Sequence, residues 1–498
     1  MKRLYSFVAL ISFFSFNSYS QTQGIAYTAV GKGVATTFLT DYHCLGVNTS
    51  CLGFGTGYEG KRFTTGMTEF SLGIYSDALN KEKLSKLYKT IRTDVFGSGS
   101  TDNIDWQAQA DAAGDYLDAG IMIDAQYNWL GFSFQSERFG GVAFNVQEHY
   151  NWYSKLSKET TDLVFRGKFS DYFDELTVVF GSDTTIIPNG DNISADTLNA
   201  VVAGTIGVPL SLSDITNGSE IHFAWNRYYN LGYGRKLFGD STFSIYAGIG
   251  GRFIQSTAMF NMTSDEDGLR FYSSVSPSFN IDYGAIANTN PSNYTKSGGI
   301  PASVGNGYGL DFSVTAQIAK FFKIGLAVNN VGSVTYKRNV YRVKDSLVGS
   351  MRLDGLANYN ITNSLDQFLE EGGLLTLEGQ ESIKINNAAN IRLGCSIDFG
   401  RIATIGIDVV APFNRENPGG INNAVYSIGG EVRPAKWIQI SAGYYGGGIY
   451  KHNIPVGVNF VLGKGTYEVG IASRDALSFF LKDANSVSTA FGVARFRF

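Results

Sequence analysis

The residue types best suited to chemistry are four histidines and three cysteines in a chain of 498 residues. The histidines are His43, His149, His222 and His452. None of them has a serine and a carboxylate beside it in a recognisable nucleophile motif. A zinc site built on His43, Cys44 and Cys51 would still need a fourth ligand. We therefore predict no catalytic residues, no metal site and no enzymatic activity.

Phosphate and nucleic-acid binding also find little support. Gly31-Lys32-Gly33 has the glycines and the lysine of a phosphate loop, but no strand leads into it and no Gly-Lys-Ser/Thr follows. The formal net charge of −4 is nearly balanced and gives no argument for nucleic acid as a partner. No cofactor is predicted.

Residues 1–20 have the pattern of a secretory signal peptide. Two basic residues precede the apolar run Phe7–Phe14, and Ser18 and Ser20 lie where small residues precede a cleavage site before Gln21. Export would allow a disulfide between the two cysteines that are close in sequence, Cys44 and Cys51. A disulfide and two free thiols both remain open at this point.

The last hundred or so residues contain seven short segments with the pattern of strands. They are Ile391–Asp398, Ala403–Ala411, Val425–Val432, Ile438–Tyr445, Ile454–Leu462, Thr466–Ser473 and Thr489–Phe498. Each has roughly the length, about 9–11 residues, of a tilted strand that crosses a bilayer. In the last segment, Ala494, Phe496 and Phe498 alternate with Val493, Arg495 and Arg497. This alternation predicts arginines that face a watery lumen and aromatic residues that face lipid.

Composition supports a membrane β-barrel. The chain has 59 glycines, only 9 prolines, 28 tyrosines and 36 phenylalanines, which is typical of twisted strands with aromatic girdles. Beyond the N-terminus we find no run of about 18 apolar residues, so a membrane protein of this sequence has to be a closed barrel. We predict an all-β, closed, antiparallel transmembrane barrel. An array of soluble β-sandwiches is the alternative.

The earlier part of the chain adds further strands and three insertions. Phe70, Leu72 and Ile74 alternate along a first strand, and Ile121–Trp129 with Phe132–Val146 predicts a hairpin about Leu130–Gly131. Further strands are predicted at Ile221–Leu231, Thr242–Gln255 and Leu269–Tyr283. The predicted insertions, at 78–118, 155–219 and 336–382, include the helices Ala78–Arg92, Ser170–Leu176 and Leu365–Glu371. With two more strands around Gly307–Thr335 the count is about fifteen, and since closed bacterial barrels have even numbers we expect about fourteen.

Two stretches resemble FadL-type outer-membrane transporters and the related uncharacterised barrels of Bacteroidota. The first has small residues, an acidic residue and an asparagine turn at Gly31, Gly33, Ala35, Asp41, Gly46, Asn48, Leu52 and Gly53. Thr49 and Ser50 stand where that family has proline and alanine. The second, Gly307-Tyr308-Gly309-Leu310-Asp311 followed by Asn330-Val331-Gly332, resembles a Gly-x-Gly-Leu-Asp … Asn-x-Gly hairpin of the same barrels.

The resemblance implies that residues 21–60 fold inside the barrel as a plug (hatch), and that residues 61–498 form the wall with its insertions. Plug residues that would meet a ligand are Phe38, Leu39, Asp41, Leu45, Val47 and Asn48. The apolar ones could equally be packing that seals the lumen. Arg495, Arg497 and His222 are expected to face the lumen. A final strand that carries Phe496 and Phe498 resembles the signal that the barrel-assembly machinery reads.

Three functions follow from the resemblance. The first is passive uptake of small hydrophobic molecules across the outer membrane, with membrane lipid as the surroundings. The second is a non-transporting subunit of a larger outer-membrane machine, such as type IX secretion or envelope assembly, with other envelope proteins as partners. A barrel enzyme is the remote third, because barrel lipases place a serine–histidine pair on the outer wall and His222 is predicted to point inward.

Overall fold

The computed structural model describes residues 26–76, 120–190, 193–298, 300–355, 375–400, 402–413, 418, 424–447, 452–481 and 484–498. The predicted signal peptide, the helices predicted at Ala78–Arg92 and Leu365–Glu371, and the whole insertion at 78–118 lie outside these residues.

Fourteen antiparallel strands in the described part of the chain form a closed barrel. They are β1 (Phe63–Tyr75), β2 (Ile121–Ser136), β3 (Gly140–Lys155), β4 (Glu220–Gly239), β5 (Phe243–Asp265), β6 (Gly305–Ile318), β7 (Phe322–Tyr336), β8 (Asn390–Asp398), β9 (Ala403–Pro412), β10 (Val425–Ala435), β11 (Ile438–Gly447), β12 (Val456–Leu462), β13 (Tyr467–Ser473) and β14 (Ser486–Arg497). Each strand pairs with the next, and β14 pairs with β1 from Thr64↔Arg497 to Tyr75↔Ser486. The predicted fold class is confirmed, as are all seven C-terminal strands.

The two faces of the wall differ as alternation predicts. On β6, Phe312 and Val314 are exposed on the outside, whereas Ser313 and Thr315 are buried on the inside. Exposed apolar side chains on the outside and polar ones inside are the arrangement of a barrel that meets lipid. In the described residues, no helix is both long and apolar enough to cross a membrane.

Connections alternate in length around the whole barrel. The even-numbered strands β2 to β12 are followed by turns of a few residues, and β14 ends beside the start of β1 at that same end. The odd-numbered strands are followed by long connections, among them 156–219 and 337–389. Since long loops face outward in outer-membrane barrels, this parity orients the first half of the chain, which the sequence alone leaves unassigned.

Short elements occupy the plug region and the connections. The helices and 3-10 turns are Tyr27–Val30, Asp41–Cys44, Thr49–Phe54, Lys158–Arg166, Gly167–Phe169, Ala195–Asn199, Leu212–Thr216, Pro277–Phe279, Ile286–Thr289, Gly463–Gly465 and Leu477–Phe480. The additional strands are Glu175–Phe180, Asp183–Pro188, Val201–Ser211, Gly268–Val275, Val340–Val343, Leu347–Met351, Leu377–Gly379, Ile383–Asn386 and His452–Asn453.

The insertion at 156–219 folds with Leu347–Met351 into a unit that we call the cap. Its four strands lie in the order Leu347–Met351, Val201–Ser211, Glu175–Phe180, Asp183–Pro188. The predicted helix at Ser170–Leu176 is wrong, because residues 170–174 form bends and turns and Glu175–Phe180 is a strand paired with Val201–Ser211. The helix of the cap lies earlier, at Lys158–Arg166, where Ser157 accepts a hydrogen bond from the Thr160 amide as its N-cap.

The cap packs against the outer face of the wall beyond the exposed belt. Cap side chains such as Leu163, Phe165 and Leu212 join Trp152 and Phe223 of the wall in one buried apolar cluster. Phe223 lies opposite Trp152 in the pairing of β3 with β4, and the two ring centroids are 5.7 Å apart. The long strands therefore continue past the belt because the cap covers their outward apolar side chains.

Three other sequence predictions need correction. The predicted hairpin about Leu130–Gly131 is wrong, since β2 runs on to Ser136 and turns there into β3. The predicted strand Leu269–Tyr283 shortens to Gly268–Val275, which pairs with the extension of β5 and is the surplus fifteenth strand. Val493 is exposed on the outside, not on the arginine face, because the register of β13 with β14 shifts between Glu468 and Gly470.

Candidate functional site: the luminal plug and the cavity beyond it

Residues 26–58, which we call the plug, lie inside the lumen and have a small apolar core of their own. Leu39, Leu45, Val47 and Leu52 pack together with the buried thiols of Cys44 and Cys51. Phe38 lies instead against the wall, where a Cβ on Gly406 would stand 2.5 Å from its ring. In the structure, these apolar residues pack in the interior, which is one of the two roles that the sequence leaves open for them.

Both plug cysteines are free thiols in the structure, the second state that the sequence leaves open. Cys51 contacts the carbonyl oxygen of Thr36 at 3.5 Å. Burial raises the pKa of both thiols, for Cys51 to about 12. Because the thiolate is the reactive form, these cysteines are chemically quiet while the plug is in place.

A buried ionic network joins the plug to the last strand. Asp41 of the plug pairs with Arg495, whose Nη1 donates to Glu468 of β13 at 3.0 Å. Arg497 pairs with the same Glu468 carboxylate. All four side chains are almost fully buried. The structure therefore places Arg495 and Arg497 on the luminal face of β14, where their network joins residues that are far apart in sequence.

A second junction lies at Glu69 on β1. Its carboxylate accepts hydrogen bonds from the Tyr42 hydroxyl at 2.7 Å and from the Asn128 amide at 2.8 Å. The Nε2 atom of His43 lies 2.9 Å from the same carboxylate. The 3-10 turn Asp41–Cys44 thus presents two consecutive ring side chains to one wall carboxylate.

Further polar contacts hold the opposite side of the plug. Asp408 of β9 accepts hydrogen bonds from the backbone amides of Ala35 and Thr36 at 2.6 and 2.8 Å. Lys32 forms an ion pair of 2.8 Å with Glu431 of β10. The plug is therefore held by charged groups on several sides of the wall.

Asn48 organises the turn where the sequence departs from the family pattern. Its amide donates to the Thr36 carbonyl at 2.7 Å and to the Thr315 hydroxyl at 2.9 Å. Its carbonyl accepts from Ser50 at 2.6 Å, and the Ser50 amide donates to Ser313 at 2.8 Å. The Ser50 hydroxyl also bonds the Thr315 hydroxyl of the wall at 2.7 Å, a side-chain contact that alanine could not make.

Wall glycines allow the plug backbone to come close. A Cβ on Gly234 or Gly248 would stand 2.3–2.4 Å from the backbone of Thr49 or Ser50. A Cβ on Gly131 would stand 2.2 Å from the ring of Tyr42. Several glycines of the strands therefore have a specific cause, which is contact with the plug.

The ladder of the wall is interrupted beside the Glu69 junction. Between β1 and β2 the register passes from Met67↔Leu130 to Glu69↔Asn128, and on the other side from Met67↔Ala494 to Glu69↔Gly492. Thr68, between these pairs, has a left-handed φ of 57°, which is unusual for a β-branched residue. The wall is locally irregular where the plug presents Tyr42 and His43.

A polar cavity lies between the plug and the long-loop end of the barrel. Plug residues contact β4 at Gly232 and Gly234, whereas the cavity is lined by Asn226 and Tyr228, nearer the long loops. Arg252 and Asn330 also line it, together with the apolar Val334 and Ile385. The enclosed part of the cavity is small, about 40 Å³, and it is continuous with an open mouth. His222, predicted to face the lumen, lies beyond the cavity toward the long-loop end of β4, with Nδ1 2.6 Å from the Asn261 side chain.

Sequence reasoning missed the wall residues that receive the plug, namely Glu69, Asp408, Glu431 and Glu468. A signal for them exists, since each is a lone carboxylate among apolar or small residues of a strand. Such a residue has to face the lumen when its neighbours face lipid. What the sequence does not contain is which plug residue each one meets.

The geometry defines a closed β-barrel whose lumen is filled by its own N-terminal segment. The chain belongs to the family of unknown function DUF5723, whose model matches residues 188–469, more than half of its length. No curated protein matches the chain in sequence.

Solved structures similar to this chain include three outer-membrane barrels. The Pseudomonas putida toluene transporter TodX is 11% identical over 97% of this chain and 99% of its own, with a TM-score of 0.38. A FadL homologue of Pseudomonas aeruginosa is 9% identical over 96% and 97%, with a TM-score of 0.39. Escherichia coli outer membrane phospholipase A is 9% identical over 86% and 89%, with a TM-score of 0.23. Likenesses at this level carry no argument about what this chain binds or does.

Proposed function

We propose that the protein is a passive channel for small molecules in the outer membrane, and that the plug is its gate. The observation that carries this proposal is the way the plug is held. Its apolar side chains pack mainly on one another, whereas it meets the wall through hydrogen bonds and ion pairs. A body with its own core and a polar perimeter can move as a unit, because water can replace its outer contacts.

The magnitudes agree with a gate. A neutral hydrogen bond contributes only about 0.5–1.5 kcal/mol net, because water offers an alternative partner. Removing one member of a buried ion pair is far more costly, about 3–5 kcal/mol, since a charge is left unpaired. The plug should therefore be closed at rest and open only when its charged groups gain water or new partners together.

The finer prediction, uptake of hydrophobic molecules, makes a specific demand on the plug. Leu39, Leu45 and Val47 would have to separate to receive such a ligand, since they pack together in the described state. The irregular wall at Thr68 is the place where an apolar molecule would leave sideways into the membrane, because the pairing is interrupted there.

The test is solute flux into liposomes that contain the full-length protein. The double variant Lys32→Met/Arg495→Gln removes plug-to-wall charges on two sides and should raise flux well above the wild type. Arg270→Gln, which removes a half-exposed pair with Asp265, is the matched control and should change nothing. A folded double variant that is as impermeable as the wild type would contradict the gate.

A second candidate is a barrel that serves as a subunit of a larger assembly. It is favoured by large apolar side chains exposed on the cap strands, with Val208 at 78% and Leu347 at 68% exposure. Purification from native membranes in mild detergent tests it. A particle several times the mass of one barrel, with envelope proteins in fixed ratio, would support this role, and a lone barrel would count against it.

A further inference from the structure

The luminal cavity contains hydrogen-bonding groups that its own walls do not satisfy. Among the described residues, the Asn226 and Asn330 carbonyl oxygens and Arg252 Nε are buried and have no hydrogen-bond partner. Asn226 and Asn330 are more than nine-tenths buried, and all three residues line the cavity. Other buried polar atoms of the described residues also have no partner, but these three line one shared cavity, where a single ligand could satisfy them together.

The side chains are held in position by their neighbours. Asn226 donates through its amide to the Tyr228 hydroxyl at 3.2 Å, which leaves its carbonyl oxygen free. Arg252 directs Nη2 to both oxygens of Asp311, at 2.9 and 2.8 Å, which leaves Nε free. The Tyr228 ring lies beneath the Arg252 guanidinium, with 5.7 Å between the ring centroid and Cζ.

A β-bulge directs Asn330 toward the cavity. The register of β6 with β7 shifts between Leu310 and Phe312, and Asp311 there accepts a hydrogen bond from the Asn330 amide at 2.7 Å. Asn330 has a left-handed φ of 62°, which asparagine tolerates better than most residues. Two consecutive side chains then point inward: Asn329 bonds the Val47 carbonyl of the plug at 3.0 Å, and Asn330 lines the cavity. Bulges often direct a side chain into a site in this way.

The lining indicates the chemistry of the ligand. Asp311 neutralises Arg252, and no Asp, Glu or Lys is among the described residues that line the cavity, so the site has little net charge. It offers two free acceptors, one free donor, the tyrosines Tyr228 and Tyr336, and a few apolar side chains. This mixture suits a molecule with hydroxyl groups at its edges and C–H groups on its faces.

We propose that the luminal cavity is a binding site for a small uncharged polyhydroxylated molecule, a mono- or disaccharide, held by Asn226, Asn330 and Arg252. The site lies on the long-loop side of the plug, where such a molecule would arrive from outside the cell. It also touches the gate, since a Cβ on Gly46 of the plug would stand 2.8 Å from Arg252 Nη2. The inference rests on the proposed channel and names for it a polar class of cargo, in place of the hydrophobic molecules that the family resemblance implies.

The experiment measures saccharide binding to the full-length protein. The protein is purified in a detergent without a sugar headgroup, so that the detergent cannot occupy the site. Glucose, maltose and N-acetylglucosamine are titrated by saturation-transfer NMR and by thermal unfolding, with decanoate and glucose 6-phosphate as apolar and anionic comparisons. At least one neutral sugar should saturate the signal and raise the unfolding temperature, and neither comparison should do so at the same concentrations.

Variants connect the binding to the site. Asn226→Ala and Asn330→Ala should each raise the dissociation constant about tenfold, which corresponds to a loss of about 1.4 kcal/mol of binding free energy. Asn306→Ala removes the same group from an exposed position on β6 and should bind as the wild type does. Tyr228→Phe keeps the ring and removes one hydroxyl, so it serves if an alanine variant does not fold. Heat-modifiable migration on gels reports the folded barrel for every variant.

Different results would overturn the two proposals. If no neutral sugar binds in the high millimolar range, or if Asn226→Ala and Asn306→Ala bind alike, the cavity holds water only and the saccharide site is wrong. Flux through the Lys32→Met/Arg495→Gln variant is independent of that result and would leave the channel standing. Site-dependent sugar binding without flux in any variant would instead keep the site and remove the channel.

Discussion

The plug and the cap are both added to the same wall, but they are held by opposite kinds of contact. The plug meets the inner face through Asp41, which pairs with Arg495, and through Lys32 and backbone amides, which bind wall carboxylates. The cap meets the outer face through a continuous apolar cluster that includes Leu163, Phe165 and Phe223. Water competes for the first kind of contact and strengthens the second. The comparison predicts that the plug is displaced more easily than the cap.

Removing the central cation should have the largest effect and should act on the plug alone. Arg495→Gln leaves Asp41 and Glu468 without their shared cation, and we expect plug attachment to weaken by about 3–5 kcal/mol. Amide hydrogen exchange of residues 26–58 and bilayer conductance should both rise, while the cap stays protected. Equal loss of protection in the cap would show that plug and cap are one cooperative unit.

Opening the apolar cluster should have the converse effect. Leu163 is 1% exposed, and Leu163→Ala should destabilise the cap by about 2–5 kcal/mol through lost burial and a cavity. Limited proteolysis should then cut within residues 156–219 of a barrel that is otherwise folded. Conductance should stay at the wild-type level, and an increase would contradict the separation of the two regions.

A methyl group added at the plug interface should have a smaller effect. Gly131→Ala would place Cβ 2.2 Å from the Tyr42 ring, and overpacking of this kind costs about 1–3 kcal/mol. We expect the Tyr42 bond to Glu69 to break and exchange of the Asp41–Cys44 turn to increase. Gly251→Ala is the matched control, since its nearest neighbouring atom lies at 3.9 Å. Equal exchange in both variants would place Tyr42 elsewhere.

The smallest effect is expected at Ser157, the N-cap residue of the helix Lys158–Arg166. Ser157→Ala removes the hydrogen bond to the Thr160 amide and should cost about 0.5–2 kcal/mol. Thermal unfolding of the cap, followed by proteolysis at rising temperature, measures this change. Thr184→Ala, at an exposed strand position, should be neutral. If Ser157→Ala leaves the unfolding temperature of the cap unchanged, apolar packing alone holds the helix Lys158–Arg166.

The sequence predicts the barrel well because membrane strands must alternate along their whole length. Ala403–Pro412 and Tyr467–Ser473 are examples in which local pattern and observed strand agree within a residue or so. The cap sheet escapes the same reasoning because Glu175–Phe180 and Asp183–Pro188 are short and lie outside the membrane, where no second solvent imposes alternation. Their β-branched residues are the one local signal.

The candidate site is predicted only in part, because its decisive contacts are non-local. The plug and the inward direction of Arg495 follow from local pattern and family resemblance. From its sequence neighbours, Gly131 suggests a turn. In the structure a glycine is needed there because the ring of Tyr42, 89 positions earlier in the chain, packs against it. Likewise, Asn330 becomes a candidate ligand-binding residue only once the β-bulge opposite Asp311 is known.

The ion pair between Asp41 and Arg495 joins residues 454 positions apart, and it links the plug to the strand that closes the barrel. The plug therefore cannot be fastened on this side until β14 has paired with both β13 and β1. Fastening of the plug on this side and closure of the barrel therefore depend on the same strand. A barrel without its last strand would leave the plug unfastened here, besides leaving the edges of β13 and β1 unpaired.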